Sequence, residues 1–148
     1  MRSILRSTGL AATLVLAGAC DSSTTTTTRS VRTLGFLEFN GVAGEVTIPV
    51  TIVAGQNFTV LVVTRGSGCT LSGDTDLTQS GVNVDIFPYD VITDGDDVTC
   101  PSVVQNLVHQ ASLRFQTTGE KFIRVHGRRH PGNENITITR TVTVQIGP

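Results

Sequence analysis

Between Leu34 and Ile146, apolar residues recur at every second position in segment after segment, the spacing that turns one face of an extended strand inward. Val46, Ile48, Val50 and Ile52 alternate with Thr47, Pro49 and Thr51, and Val82, Val84 and Ile86 alternate with Asn83 and Asp85. Ala111, Leu113 and Phe115 point one way, Thr117-Thr118-Gly119 turns the chain, and Ile123 and Val125 resume the alternation. Ile138, Val142, Val144 and Ile146 close the chain with threonines on the opposite face. Phe58 to Thr64 is apolar on both faces and reads as the most central strand. Leu34 to Phe39 reads as a strand stopped by Asn40-Gly41, a dipeptide suited to the positive φ angles of a hairpin turn. Pro49 has no N–H for a ladder and pushes its strand toward an edge or a bulge. Asp76 to Gln79 is a further short strand, and Pro88 to Asn106 is the longest stretch without a pattern, an expected loop. The pattern predicts an all-β fold: a single sandwich of about seven or eight antiparallel strands.

Composition agrees. The chain has 15 glycines, no Trp, and 12 acidic against 11 basic residues, a net charge of −1. That balance argues against a nucleic-acid partner. The N-terminal stretch differs from the rest: Arg2 and Arg6 precede an apolar run from Leu10 to Leu16, the order of a secretory signal peptide, and the run is too short to span a bilayer. From Asp21 to Ser30 the chain is polar, with an unbroken threonine run from Thr24 to Thr28, and reads as a tether reaching on the order of 30 Å when extended.

Leu16-Ala17-Gly18-Ala19-Cys20 resembles the lipobox of bacterial lipoproteins. The resemblance implies cleavage after Ala19, lipidation of Cys20, and attachment to a membrane of the bacterial cell envelope with the domain outside the cytoplasm. It divides the chain into a signal peptide (1–19), a lipidated cysteine with a tether (20–30) and a β-domain (31–148), and the mature chain would carry nine basic and twelve acidic residues. Here the motif has Ala17 where the family usually has a branched apolar residue, with Leu16 one place earlier. Cys69 and Cys100 remain as an even pair in an exported chain and are expected to form a disulfide.

A second resemblance rests on Leu113-Arg114-Phe115-Gln116-Thr117-Thr118-Gly119-Glu120-Lys121-Phe122-Ile123-Arg124-Val125 and the threonine- and valine-rich strand after it. This segment looks like the closing strands of bacterial immunoglobulin-like domains and implies an immunoglobulin-like sandwich. It carries no active residues.

Four groups of side chains are candidates for chemistry. Asp90, Asp94, Asp96 and Asp97 supply oxygen ligands beside Gly95, as a calcium site does, and without the EF-hand spacing; a solvated loop has the same composition. Arg124, His126 and Arg128 should share the outer side of one strand, with Arg129 and His130 beyond, as a face for an anionic polymer, lipid headgroups or an envelope protein. His126 and His130 are four apart, but not on a helix where that spacing would bring two metal ligands together. His109 shares the parity of Ala111, Leu113 and Phe115 and reads as a hydrogen-bonded structural histidine. No nucleophile with a supporting base is apparent, because Gly66-Ser67-Gly68-Cys69 lacks the spacing and context of a nucleophile elbow. The expectation is a non-enzymatic, lipid-anchored binding or structural module without a cofactor. The alternatives are a calcium-stabilised adhesin-like domain, and a small envelope hydrolase or accessory subunit, which a cleft joining His109 to an acidic loop would favour.

Overall fold

The computed structural model describes residues 28–95 and 98–147; the leader, Cys20, and Asp96 and Asp97 lie outside the described residues. The described chain is all-β. Eleven strands follow in order: β1 (Arg29–Leu34), β2 (Phe36–Phe39), β3 (Val42–Ala43), β4 (Val46–Thr47), β5 (Ile52–Val53), β6 (Asn57–Gly66), β7 (Thr70–Ser80), β8 (Asn83–Asp94), β9 (Gln105–Arg114), β10 (Gly119–His130) and β11 (Asn135–Gln145).

The count exceeds the expected seven or eight, and the pairing is not wholly antiparallel: β10 runs parallel to both β8 and β2, and β11 parallel to β5. Two single residues account for two of the extra strands, and β3 is a third, formed where the chain folds back on β2. Pro49 splits the expected Val46–Ile52 strand, so that β4 bridges to β6 while β5 crosses to β11. Gly35 splits the other, as described below. Asn40-Gly41 turns β2 into β3 as its sequence requires, with φ angles of 51° and 78°.

The expected loop from Pro88 needs a larger correction. β8 continues through Pro88 to Asp94, so Asp90 is a strand residue. Pro88 is tolerated because the β7–β8 ladder shifts register between Ser72 and Thr75, opposite it, where one N–H fewer is needed. The remaining connection, which contains Cys100, is fastened to the β6–β7 turn by the disulfide Cys69–Cys100, with Cα atoms 5.1 Å apart.

The central feature is a fork. β8 and β10 run side by side from Asn83↔Phe122 to Ile86↔Val125 and then part. Backbone groups exposed by the split need partners, and the β1–β2 segment supplies them. β1 runs down the β8 arm from Arg29↔Asp94 to Leu34↔Tyr89, and β2 leaves along the β10 arm from Phe36↔Arg128 to Phe39↔His130. At the corner, the Gly35 N–H donates to Pro88 O (2.9 Å) and Gly35 O accepts from Arg128 N–H (2.9 Å). Only glycine fits there, because a Cβ would lie 2.5 Å from Thr64 Cγ2 and 2.8 Å from Asp90 Oδ2.

The core fills the space enclosed by the curled sheet. Val60 and Val62 of β6, Val84 and Ile86 of β8, Ala111 and Leu113 of β9, and Ile123 and Val125 of β10 are buried together with Leu37, Ile52, Phe115 and Val144. Each fully buried Val, Ile or Leu contributes on the order of 1.5–3 kcal/mol. Toward the fork the same inward parity continues with Thr64, Asp90 and His109, so the apolar core ends there in a polar layer.

Candidate functional site

Three strands build the polar layer. Thr64 follows Val60 and Val62 on β6, Asp90 follows Ile86 and Pro88 on β8, and His109 sits between Leu107 and Ala111 on β9. All three are buried. The Thr64 hydroxyl donates across both Asp90 oxygens (3.0 and 3.1 Å), and His109 Nε2 lies 2.9 Å from Asp90 Oδ1 and 2.9 Å from Thr64 Oγ1. A carboxylate only accepts, so Nε2 carries the proton and donates to Asp90. His109 Nδ1 is buried without a partner among the described residues, which suits an unprotonated nitrogen better than an N–H, since an orphaned donor is costlier.

This trio brings His109 and an acidic residue together, and its geometry differs from a nucleophile relay. In a relay the hydroxyl and the carboxylate engage opposite ring nitrogens; here both face Nε2. Thr64 is also fully buried, so no substrate carbonyl reaches its oxygen.

Beside the layer, in the fork, is a cavity of about 150 Å³. Asp90 and Ile92 line it from one arm, Thr33 from β1, Phe36 and Phe39 from β2, Arg128 and His130 from the other arm, and Gly66, Ser67 and Thr70 from the β6–β7 turn. The disulfide holds that turn, and Thr70 N–H closes it by donating to Ser67 O (3.0 Å). The Arg128 guanidinium lies 4.3 Å over the Phe36 ring, donates from Nε to Leu34 O (2.6 Å), and reaches Asn133 Oδ1 from Nη1 (3.4 Å). Burial pushes the guanidinium below its ordinary pKa, and the nearby charge of Asp90 pulls the other way. Yet among the described residues Asp90 and Arg128 form no ion pair. The cavity thus holds a buried carboxylate and a partly desolvated guanidinium that face it without touching. A larger depression of about 400 Å³ between the Val46–Ile52 segment and β11 is an open groove with Arg140 as its one charged lining residue; buried polar groups converge at the fork instead.

The other sequence candidates disperse. Arg124 and His126 do share the outer face of β10, where both engage Asp85, at 2.6 Å each. Burial raises the Asp85 carboxyl, but hydrogen bonds from His126 and Arg124 outweigh it and hold the group below its ordinary value. Arg129 pairs with Glu38 (2.9 Å), and His130 stacks on Phe39 with ring centroids 4.1 Å apart. The expected basic stripe is therefore interleaved with carboxylates, and Arg128 leaves it for the cavity. His126 and His130 take different partners, His126 bonding Asp85 and His130 bonding Asn40 at 2.9 Å. Asp90 and Asp94 are four residues apart on an extended strand, about 13 Å, too far to share an ion bound at about 2.4 Å. No group of three His, Cys, Asp or Glu suited to a metal occurs among the described residues. Thr33, Thr64, Phe36, Phe39, Ser67, Thr70 and Ile92 were not apparent as site residues from the sequence.

Comparison with protein-family models, with curated proteins and with solved structures finds no match to this chain.

Proposed function

We propose that this protein is a lipid-anchored recognition module of a bacterial cell envelope, tethered through Cys20, whose β-domain holds a small ligand in the fork cavity. The observation that carries the reading is the pair of opposite charges, Asp90 and Arg128, that line one cavity without pairing. Charges withdrawn from water without a mutual bond cost stability, and such groups concentrate at functional sites. The anchor draws its support from the lipobox-like residues Leu16 to Cys20. Because β1 starts at Arg29, the tether joins the domain at the tip of the β8 arm, and the cavity lies at the tether end. The charge-compensated outer face of β10 offers weaker support for an anionic polymer. The finer fold reading, an immunoglobulin-like sandwich, draws support from the β6/β9 layer facing β8/β10 and none from the parallel pairs.

Two experiments test the reading. Cys20→Ser should shift the protein from the membrane to the soluble envelope fraction; unchanged fractionation refutes the anchor. A thermal-shift screen of envelope small molecules should yield compounds that stabilise the full chain, since a ligand bound only by the folded state raises its melting temperature. The same compounds should fail on Ser67→Trp, which fills the cavity mouth. If no compound distinguishes the two proteins, the cavity is not a binding site.

A further inference from the structure

Resting on the reading of the fork cavity as a binding site, we infer that its ligand is a short zwitterion of the amino-acid class, with its ammonium group on Asp90 and its carboxylate on Arg128.

Three observations carry this. The first is unused capacity on both charges. A carboxylate offers about four acceptor positions, and among the described residues Asp90 receives only the Thr64 hydroxyl and the His109 N–H, with the longer Thr64 contact alone on Oδ2. Arg128 spends Nε on Leu34 O and a 3.4 Å contact from Nη1 on Asn133, which leaves Nη2 without a protein partner among the described residues. A guanidinium presents its donors as a planar fork that matches a carboxylate, and that of Arg128 lies over the Phe36 ring.

The second is the arrangement of sign. A purely anionic ligand would meet Asp90, and a purely cationic one would meet Arg128, each a like charge in a poorly solvated space. A ligand with one charge of each sign satisfies both walls and adds no net charge to the cavity. Asp90 and Arg128 line the same cavity with no ion pair between them among the described residues.

The third is size and lining. A cavity of about 150 Å³ is the volume that accommodates benzene in an engineered apolar site, so the ligand has about six to eight non-hydrogen atoms. The apolar lining is Phe36, Phe39 and Ile92, with His130 stacked on Phe39, which favours a short aliphatic body. Thr33, Ser67 and Thr70 line the same space, with the Ser67 and Thr70 hydroxyls bonded to each other at 3.2 Å.

The test uses the full chain in detergent, three probes that share one aliphatic body, and heteronuclear NMR titration. The probes are L-valine, isobutylamine, which is valine without its carboxylate, and isovalerate, which is valine without its ammonium group. Valine should shift the amide resonances of Gly35, Ser67, Asp90 and Arg128 and bind at least about tenfold more tightly than either single-charge probe, the factor expected for one charge-assisted hydrogen bond. Arg128→Met should reduce valine to the affinity of isobutylamine, and Asp90→Asn to that of isovalerate. Because Asp90 is buried and its variant can fail to fold, the half-buried Arg128→Met carries the decision, with circular dichroism confirming its fold. Equal binding of valine and one single-charge probe overturns the zwitterion and leaves a cavity selective for one charge. No response to any probe also overturns it, and the independent compound screen then decides whether the cavity binds anything.

Discussion

Replacing Thr64 by Val tests whether the polar layer is a stabilising element or a structural cost retained for the cavity. The two side chains have nearly the same shape, so the substitution removes one hydroxyl and little else. That hydroxyl is fully buried and donates to Asp90 at 3.0 and 3.1 Å. A hydrogen bond to a charged group contributes about 1.5–3 kcal/mol, and its loss leaves the buried carboxylate on His109 alone. Thr64→Val should therefore destabilise the fold by about 1.5–3 kcal/mol, lowering the melting temperature on the order of 5–12 °C for a domain of this size. The chain has no Trp and one Tyr, so far-UV circular dichroism is the appropriate readout, in thermal and urea melts. The companion variant replaces the whole layer, Thr64→Val with Asp90→Leu and His109→Leu. With no polar group of the layer left to satisfy, it should regain the loss and equal or exceed the parent, as buried charged clusters replaced by apolar side chains commonly do. A Thr64→Val protein that melts with the parent, or a triple variant less stable than the single one, refutes this account of the layer.

Gly35→Ala should destabilise the chain by about 1–3 kcal/mol, the scale of overpacking a filled core, because its Cβ would meet the buried side-chain atoms Thr64 Cγ2 at 2.5 Å and Asp90 Oδ2 at 2.8 Å; an unchanged urea midpoint contradicts the corner geometry. Reducing the Cys69–Cys100 bond, or changing both residues to Ser, frees a separation of 31 residues and should cost about 3–4 kcal/mol on the chain-entropy account; equal melts with and without reductant speak against it. Asp85 titrates below its ordinary value in the fold, so its contribution is present above the unfolded value and lost as pH falls through the folded one. The stability difference between parent and Asp85→Asn should accordingly be largest near neutral pH and shrink in acid, and a difference independent of pH between 7 and 3, on the order of the carboxylate titration range, removes the linkage.

Period-2 alternation was sufficient to identify an all-β chain, because burying one face of a pleated strand leaves that signature on each strand separately. The sequence placed the hairpin at Asn40-Gly41, the inward parity of His109 and the pairing of Cys69 with Cys100, and the structure has all three. Strand number was not legible because two single residues, Gly35 and Pro49, cut continuous apolar patterns for reasons set by distant partners. Asp90 misled most. Its composition-rich surroundings read as a solvated loop, yet it continues the parity of Val84, Ile86 and Pro88. The signal was present and was masked by Pro88, whose tolerance depends on a register shift in β7 that no local pattern announces.

The fork explains why polar residues, an empty space and a compulsory glycine occur at one place. Two parallel strands that part leave a wedge, and the segment that satisfies both exposed edges must change direction where they meet. That corner brings backbone against the inward-facing side chains of β6 and β8, which excludes any Cβ at position 35. Farther out, the arms diverge faster than Thr33, Phe36 and Ile92 can fill the gap, and a cavity remains. Thr64, Asp90 and His109, all buried, satisfy one another there and end the core. Arg128 and Arg129 are consecutive strand residues and so meet different surroundings: Arg128 lines the cavity and Arg129 pairs with Glu38. The chemistry of the site is thus a consequence of the topology, and a ligand that bridges the two arms would stabilise the fork at the point where its strands have no ladder between them.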